Sequence, residues 1–557
     1  MVPFVTSTFT AATDAVAGSV ALSALVGILP LAAFFLLLMA LKLPAHVAAL
    51  ISAAIAVVIA IFGFSMPVGL TLLSLSQGVT FGLFPIVFII IMAVWIYDLT
   101  VSSGRFEDLR TIFSKIGRGD VRVQAMLIGF AFGGLLEALA GFGAPVAIVV
   151  AMLVSIGLKP MKAILVTFVA NTAPVAFGAM AIPITTGAGL AGLDPNLLAA
   201  TVGRQVSVLA FVVPFVLALI MDGFRGLRQT WPMALMLGVA FGGGQFLASN
   251  FMTYELTDVV ACLISLVAGV ALLRVWGPTT PEDQASASAT NGTAHELDAR
   301  RTVLALFPYL LIVVAFAITK LWTVGVNIPK LLASTDIKIP WPGLHGNLLT
   351  ASGQPSSATM FNFNWLSNPG TILFLCGLIT VAVYSATSTS ERSLSVGRGF
   401  GQLFSGLNRM KLSYLTIAAV MGLAYVMNFS GQTAAIGALL AGAGRFFPLI
   451  SPIAGWLGTA VTGSATSSSA LFAQMQSTSA HSIGVEPHLL VGANSAGAVT
   501  GKMISPQTVA IAAASANIKG EEGRITGQAL LYSLCLLAFM CLLVFLQSTP
   551  ILGWMVP

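Results

Sequence analysis

Hydrophobic residues fall along the chain in blocks long enough to cross about 30 Å of hydrocarbon. Uninterrupted blocks occur near 19–41, 45–63, 79–97, 201–221, 231–249, 258–274, 303–322, 369–386, 411–428 and 527–548, and predict ten plain crossings. Four further apolar stretches, 122–158, 163–191, 448–480 and 487–516, are broken by Gly, Pro, Ser, Thr and Asn. The expected architecture is an all-α polytopic membrane protein of about twelve transmembrane helices plus two re-entrant hairpins, 122–158 and 448–480. Residues 163–191 and 487–516 then cross as interrupted helices.

Lys and Arg collect in cytoplasmic loops, so their positions orient these blocks. Arg105, Arg110, Lys115, Arg118 and Arg122 place the connection 98–122 inside, and Lys159, Lys162, Arg225 and Arg228 place the following joins there as well. Of 25 basic residues, 19 then lie inside, and Arg204, Lys320, Lys330, Lys338 and Arg445 lie outside, with Lys502 within the membrane. Both termini are expected outside. The first 18 residues carry no Lys or Arg, so 19–41 is read as a retained membrane helix and not as a cleaved signal. The polar segment 277–299 is expected to be a cytoplasmic linker, and 323–368, with Trp341 and Trp365, an ordered outer cap.

Composition excludes the alternatives to a membrane protein. Only 8% of the 557 residues are charged, against about 25% in globular chains. A single soluble enzyme, a disordered chain and a nucleic-acid partner are all ruled out on that ground, despite the net charge of +6. Cys262, Cys376, Cys535 and Cys541 all lie in apolar runs with no metal or disulfide spacing. No HExxH, P-loop or GxSxG is present, and GAGLAG at 187–192 has no strand before it, so neither an enzyme nor a cofactor is expected.

Self-comparison reveals a repeat. NTAPVAFGAMAIP (171–183) aligns without gaps to NSAGAVTGKMISP (494–506) at an offset of 323, matching Asn171 to Asn494, Gly178 to Gly501 and Pro183 to Pro506. Gly133, Leu135, Ala138 and Gly141 match Gly455, Leu457, Ala460 and Gly463 at an offset of 322. The helix before each copy runs in opposite directions, so the copies are inverted, and 431–446 reads as an interfacial helix at the outer surface. Inverted repeats with matched breaks point to a secondary transporter's midplane site. Unwound backbone survives at that depth only where it lines a protein-walled cavity or a ligand.

Chemistry-bearing residues gather at those breaks. The first hairpin tip, EALAGFGAP, offers Gly141, Phe142, Gly143 and Ala144; the second, TGSATSS, offers Thr462, Gly463, Ser464, Thr466 and Ser467. Glycines permit the reversal, and hydroxyls replace water around a solute. Asn171, Thr172, Asn494, Ser495, Ser505 and Gln507 stand in or beside the helix breaks, able to hold a carboxylate and a 2-hydroxyl or to cap half-helices. Glu137 reads as the one carboxylate deep in an apolar stretch and Lys502 as the one deep ammonium, each costing roughly 2.5 to 3.5 kcal/mol there. Lys502 is assigned to a substrate carboxylate and Glu137 to the coupled proton; the plainer alternative is a structural Glu137–Lys502 ion pair. His488, after Glu486-Pro487, reads as a helix start at the interface, and His46 and His481 are read the same way.

At these residues the sequence resembles the L-lactate permease family. EALAGFGAP, ANTAPVAFGAMAIP, TGSATSSSALF and GANSAGAVTGKMISPQ are similar to its signature regions, in order along the whole chain. The resemblance implies symport of H⁺ with a small 2-hydroxy monocarboxylate, L-lactate with D-lactate and glycolate, across a bacterial inner membrane. Through the wider ion-transporter superfamily it also implies a homodimer and an elevator-like motion of parts 122–222 and 448–548 against a scaffold of 1–121 and 223–447. A sodium-coupled small-carboxylate carrier and, further off, an anion channel are the alternatives.

Overall fold

The structure is a computed structural model that describes residues 8–41, 43–108, 111, 119–139, 144–284, 298–321, 326–350, 353–390, 392–518 and 520–557. Eleven of its helices are long and apolar enough to cross a membrane, or twelve when the pair Pro160–Ala170 and Val175–Ala191, bent by 59°, counts as one broken span. Helix Pro195–Phe251 has 57 residues, roughly 85 Å if straight and far longer than one crossing. It is interrupted where Asp222 (φ −146°) and Gly223 (φ 62°) leave the helical region, so its halves are two crossings joined by a tight turn.

That turn is pinned by Arg122, whose side chain is fully buried. Its guanidinium donates to Asp120 (2.7 Å), Asp222 (2.9 Å), Gln229 (2.6 Å) and the Thr279 carbonyl (3.1 Å). The entry to the first hairpin, the turn at 222–223 and the start of the polar linker are thereby held on one face. Linker residues 285–297 lie outside the described set.

Two groups of helices follow from where small residues fall. In one, Val396–Ser430 packs against Ala45–Phe62 and Val68–Phe81. The buried stripe Ala48, Ala49, Ser52, Ala53, Ala56 and Ala60 lets backbones approach closely, as membrane helices need when lipid is as apolar as the side chains. Phe88–Ser102 lies on Pro369–Ala386, where a side chain at Gly377 would begin 2.3 Å from the Trp95 ring. Trp95 Nε1 donates to the Gly399 carbonyl at 2.9 Å, tying these helices together.

Segments 326–350 and 353–368 form a cap over this group. Ile337–Pro340 pairs antiparallel with Met360–Phe363, and Phe9–Thr10 pairs parallel with Leu348–Leu349. Trp341 Nε1 donates to Ser76 Oγ (3.1 Å), and Gln77 Nε2 donates to the Ala358 carbonyl (3.0 Å). The expected cap is therefore ordered and bonded to helix Val68–Phe81.

The second group holds both repeats. The first hairpin runs out along Val121–Leu139 and returns along Ala144–Ser155; the second uses Phe447–Thr462 and Ala465–Ile483. The broken helices are Pro160–Ala170 with Gly178–Ala191, and Pro487–Gly501 with Pro506–Ser515. The copies interlock reciprocally. Gly178–Ala191 packs on the return arm Ala465–Ile483, while Pro506–Ser515 packs on the return arm Ala144–Ser155. Helices 224–251 and Thr257–Val275 lie against the first hairpin, with a side chain at Gly134 meeting Cys262 Sγ at 2.8 Å. Gln432–Leu440 is a short helix, and a 3₁₀ stretch with Gly444 at φ 56° separates it from the hairpin arm Phe447–Thr462.

Close approach is most severe between Phe447–Thr462 and Pro487–Gly501. A Cβ at Gly497 would stand 1.8 Å from the Pro452 carbonyl oxygen, whereas at Gly243 it would meet nothing within 4 Å. Gly497→Ala is expected to destabilise the protein by about 1–3 kcal/mol. Thermal unfolding in detergent should show a lowered midpoint for Gly497→Ala and none for Gly243→Ala; equal midpoints would contradict this packing.

Candidate functional site

A cavity of about 740 Å³ opens between the two helix groups. The second hairpin contributes Thr462, Gly463, Ser464 and Ser467, and the second broken helix contributes Lys502, Gln507 and Thr508. Leu412, Ser413, Thr416 and Ile417 line it as well, with Leu43, His46, Glu522 and Thr526.

Local sequence shapes the hairpin tip. Gly463 caps its arm in the left-handed region (φ 72°), where other residues are strained. Ser464 then caps the return arm, its Oγ accepting from the Ser467 amide at 3.2 Å. Thr462 Oγ1 donates to the Gly458 carbonyl (2.7 Å) and accepts from the Ser464 amide (3.2 Å), satisfying the reversal internally. A side chain at Gly463 would meet Gln507 Oε1 at 3.0 Å and Ser505 Oγ at 3.3 Å, so the tip touches the start of helix Pro506–Ser515. Ser505 caps that start, with its Oγ accepting from the Thr508 amide at 3.2 Å. A capped helix N-terminus beside a cavity favours an anion.

Between the halves of this broken helix, Lys502–Ile504 forms a short 3₁₀ turn. Lys502 is only 6% exposed, and its Nζ donates to Glu137 Oε1 at 2.5 Å. Glu137 sits near the end of Val121–Leu139 and is 3% exposed; its Oε2 has no partner. One face of Lys502 therefore borders the cavity while its ammonium is held from behind by a carboxylate of the other repeat. The ion pair that the sequence leaves as the plainer reading is present in this conformation.

The first broken helix meets the same point. Pro160–Ala170 is capped by Asn171, and Thr172 Oγ1 donates back to the Val169 carbonyl at 2.7 Å. A 3₁₀ turn over Val175–Phe177 follows, and then Ala179, Met180 and Ala181 adopt φ of 46°, 60° and 58°. Each left-handed non-glycine residue costs about 1–2 kcal/mol, so this run is backbone strain located at the break. Gly178 precedes it because a Cβ there would lie 3.1 Å from Glu137 Oε1. Asn171, Val146 and Phe168 share a small void with Lys502, Val499, Met503 and Thr508, so both breaks converge on Lys502.

Thr462, Gly463, Ser464, Ser467, Lys502 and Gln507 thus border the cavity, with Asn171 and Glu137 behind it. Thr172, Thr466, Asn494, Ser495 and Ser505 are buried but do not line it in this conformation. Both polar side-chain atoms of Asn494 lack a partner within helix Pro487–Gly501. Ala144 begins the return arm of the first hairpin, and Gly141, Phe142 and Gly143 lie outside the described residues. His488 Nδ1 bonds Glu486 Oε1 at 2.8 Å at a helix start, as expected, and His481 stands in the last turn of Ala465–Ile483. His46 stands in the first turn of Ala45–Phe62, as expected for a helix start, and also lines the cavity.

Sequence reasoning missed Thr508, Ser413 and Thr416, which sit in otherwise ordinary helices. It also undercounted buried acids: Asp98, Glu255 and Asp258 are 6%, 3% and 1% exposed. Asp98 accepts from Arg409 at 2.7 Å, and Glu255 is engaged by Thr253 and by Lys320 at 2.9 Å. Asp258 stands at the edge of an apolar window, where it reads as a boundary. Among the described residues no group of three or more His, Cys, Asp or Glu is placed to hold a metal ion.

Comparison with known proteins gives this geometry a family. A family model described as L-lactate permease matches residues 23–551. The chain is 38% identical to the glycolate permease GlcA of Escherichia coli (strain K12), over 97% of this chain and 98% of that one. It is 36% identical to the L-lactate permease of Bacillus subtilis (strain 168), over 99% of this chain and all of that one. Among solved structures, the Alcanivorax borkumensis YdaH transporter aligns over 78% of this chain and 86% of its own at 16% identity, with a TM-score of 0.33, too low to establish a shared fold. With the model match spanning nearly its whole length, this multi-pass membrane protein belongs to the L-lactate permease family.

Proposed function

We propose that the chain carries L-lactate, with D-lactate and glycolate as further substrates, together with a proton across a bacterial inner membrane by alternating access. The substrate class rests on relatives whose names are lactate and glycolate permease. The observation that carries the coupling is the double engagement of Lys502, which borders the cavity on one side and bonds Glu137 at 2.5 Å on the other.

An incoming carboxylate competes with Glu137 for that ammonium. If the substrate takes it, Glu137 is left as a buried carboxylate with no cation, a state far costlier than its neutral acid. Glu137 then takes a proton from the cavity, and the loaded site again carries no net charge. Hydroxyls of Thr462, Ser464 and Ser467, with the Gln507 amide, supply partners for the substrate's 2-hydroxyl and second oxygen. In reverse, departure of the anion returns Lys502 to Glu137 and releases the proton.

The cavity is lined by His46 and Glu522, at the starts of helices Ala45–Phe62 and Glu522–Gln547, on the face that the basic residues assign to the cytoplasm. This conformation is therefore read as inward-open, with both termini on the outer side. The moving part takes in 122–222 and 448–548, and helices 224–251 and Thr257–Val275 travel with it because they pack on the first hairpin. The cavity wall formed by Leu412–Ile417 belongs to the static group.

Neutral 1:1 symport makes uptake into proteoliposomes respond to an inward-directed pH gradient and not to membrane potential alone. Potential-driven uptake without a pH gradient, or a requirement for Na⁺ served by the hydroxyl-rich tip, would contradict it. Lys502→Ala is expected to weaken lactate binding on the order of 30-fold or more while the protein still folds; unchanged affinity would remove Lys502 from the site. Glu137→Gln should keep lactate exchange across the membrane and lose accumulation driven by the pH gradient. Retained accumulation in that variant would place the proton elsewhere.

A further inference from the structure

Behind the ion pair lies a second buried acid. Asp258, in the first turn of helix Thr257–Val275, is 1% exposed, and its Oδ1 accepts from Gln245 Nε2 at 2.9 Å. The same Nε2 donates to the Ala173 carbonyl at 2.9 Å, a backbone group freed by the first helix break. Both neighbours of that nitrogen are acceptors, so the orientation of the amide is fixed. The remaining atoms of the two side chains, Asp258 Oδ2 and Gln245 Oε1, are each buried with no hydrogen-bond partner. Both are acceptors as long as Asp258 is ionised. A proton on Oδ2 turns it into a donor, the change that gives these two unpartnered atoms one donor and one acceptor.

The charges around Asp258 lead to the same state. Among the described residues no ammonium or guanidinium pairs with it: Lys502 is held by Glu137, and Lys320 by Glu255. Glu137 stands on the helix Gly133–Leu139 packed against it. Tyr254 and Glu255 precede it in the chain, and Cys262 follows one turn later. An ionised acid in that place would be a lone buried anion beside another anion, the least favourable arrangement available to a carboxyl group.

We propose that Asp258 is a resident carboxylic acid, protonated through the whole transport cycle, that clamps the carbonyl end of the first broken helix through its bond to Gln245. This rests on the symport reading in one respect: with Asp258 neutral, Lys502 balances Glu137 alone in the empty site. Only one proton is then taken up when an anion displaces Glu137. If Asp258 were ionised, the empty cluster would hold one ammonium against two carboxylates.

Infrared absorption spectra of the purified full-length protein, compared between wild type and variants, test the claim directly. The wild type should show a protonated-carboxyl stretch that persists from acid to mildly alkaline pH, is lost in Asp258→Asn and remains in Glu137→Gln. The amide of Asn offers the same donor and acceptor pair, so Asp258→Asn should keep pH-driven lactate accumulation within about threefold of wild type. Asp258→Leu, which removes the bond to Gln245, should fall by more than about tenfold. The proposal is overturned if Asp258→Asn leaves the carboxyl band unchanged, if it loses pH-driven accumulation as Glu137→Gln does, or if it abolishes a Na⁺ stimulation present in the wild type. Failure of the symport reading would look different, with Glu137→Gln still accumulating lactate while the Asp258 band stays in place.

Discussion

The arrangement depends on the contact between Lys502 and Glu137, two charges from opposite repeats buried where both broken helices unwind. Neither charge is tolerable there alone. Removing one partner of such a pair leaves an uncompensated ion and costs about 3–5 kcal/mol. The pair is nonetheless a poor stabiliser, since apolar residues of the same volume would do as well or better. On the proposed symport reading, its value lies in having two states, the closed pair between Lys502 and Glu137 that the structure holds and one opened by an anion that offers Lys502 a replacement.

The repeats build the frame symmetrically and the chemistry asymmetrically. Gly178 and Gly501 correspond, and each faces the outgoing arm of its own hairpin, one at Glu137 and the other at the Trp456 carbonyl. At the repeat offset of 323, Lys502 matches Ala179, and at 322 Glu137 matches Thr459. The ammonium occurs only in the second copy and the carboxylate only in the first. Two-fold interlocking then brings the unlike residues into contact, which neither copy could do with itself. The second tip carries the hydroxyls and the capped helix start, while the first break carries the left-handed run and the Ala173 carbonyl held by Gln245.

Much of the frame is legible in the sequence because bilayer thickness and backbone satisfaction leave few solutions. Apolar blocks locate the crossings, and interrupted blocks mark the hairpin arms Phe447–Thr462 and Ala465–Ile483 and the breaks at Asn171 and Lys502. Less legible are properties set by rotation and packing. Thr466 and Ser467 are neighbours in one tip, yet only Ser467 borders the cavity, and Asn494 shares a motif with Lys502 but points elsewhere. The turn at Asp222–Gly223 falls between the apolar blocks 201–221 and 231–249, where the sequence separates two crossings, whereas Asp258 hides at the edge of an apolar block. Such residues become visible only when the helices facing them are in place.

The most direct measurement of the exchange at Lys502 is proton uptake on binding, followed with a pH indicator in weakly buffered solution as lactate is added to the purified protein near neutral pH. A carboxylate that displaces Glu137 and forces it to the neutral acid draws about one proton from solution for each lactate bound. Binding with no uptake of protons would contradict the account, because Lys502 and Glu137 would then remain paired while the substrate is held elsewhere.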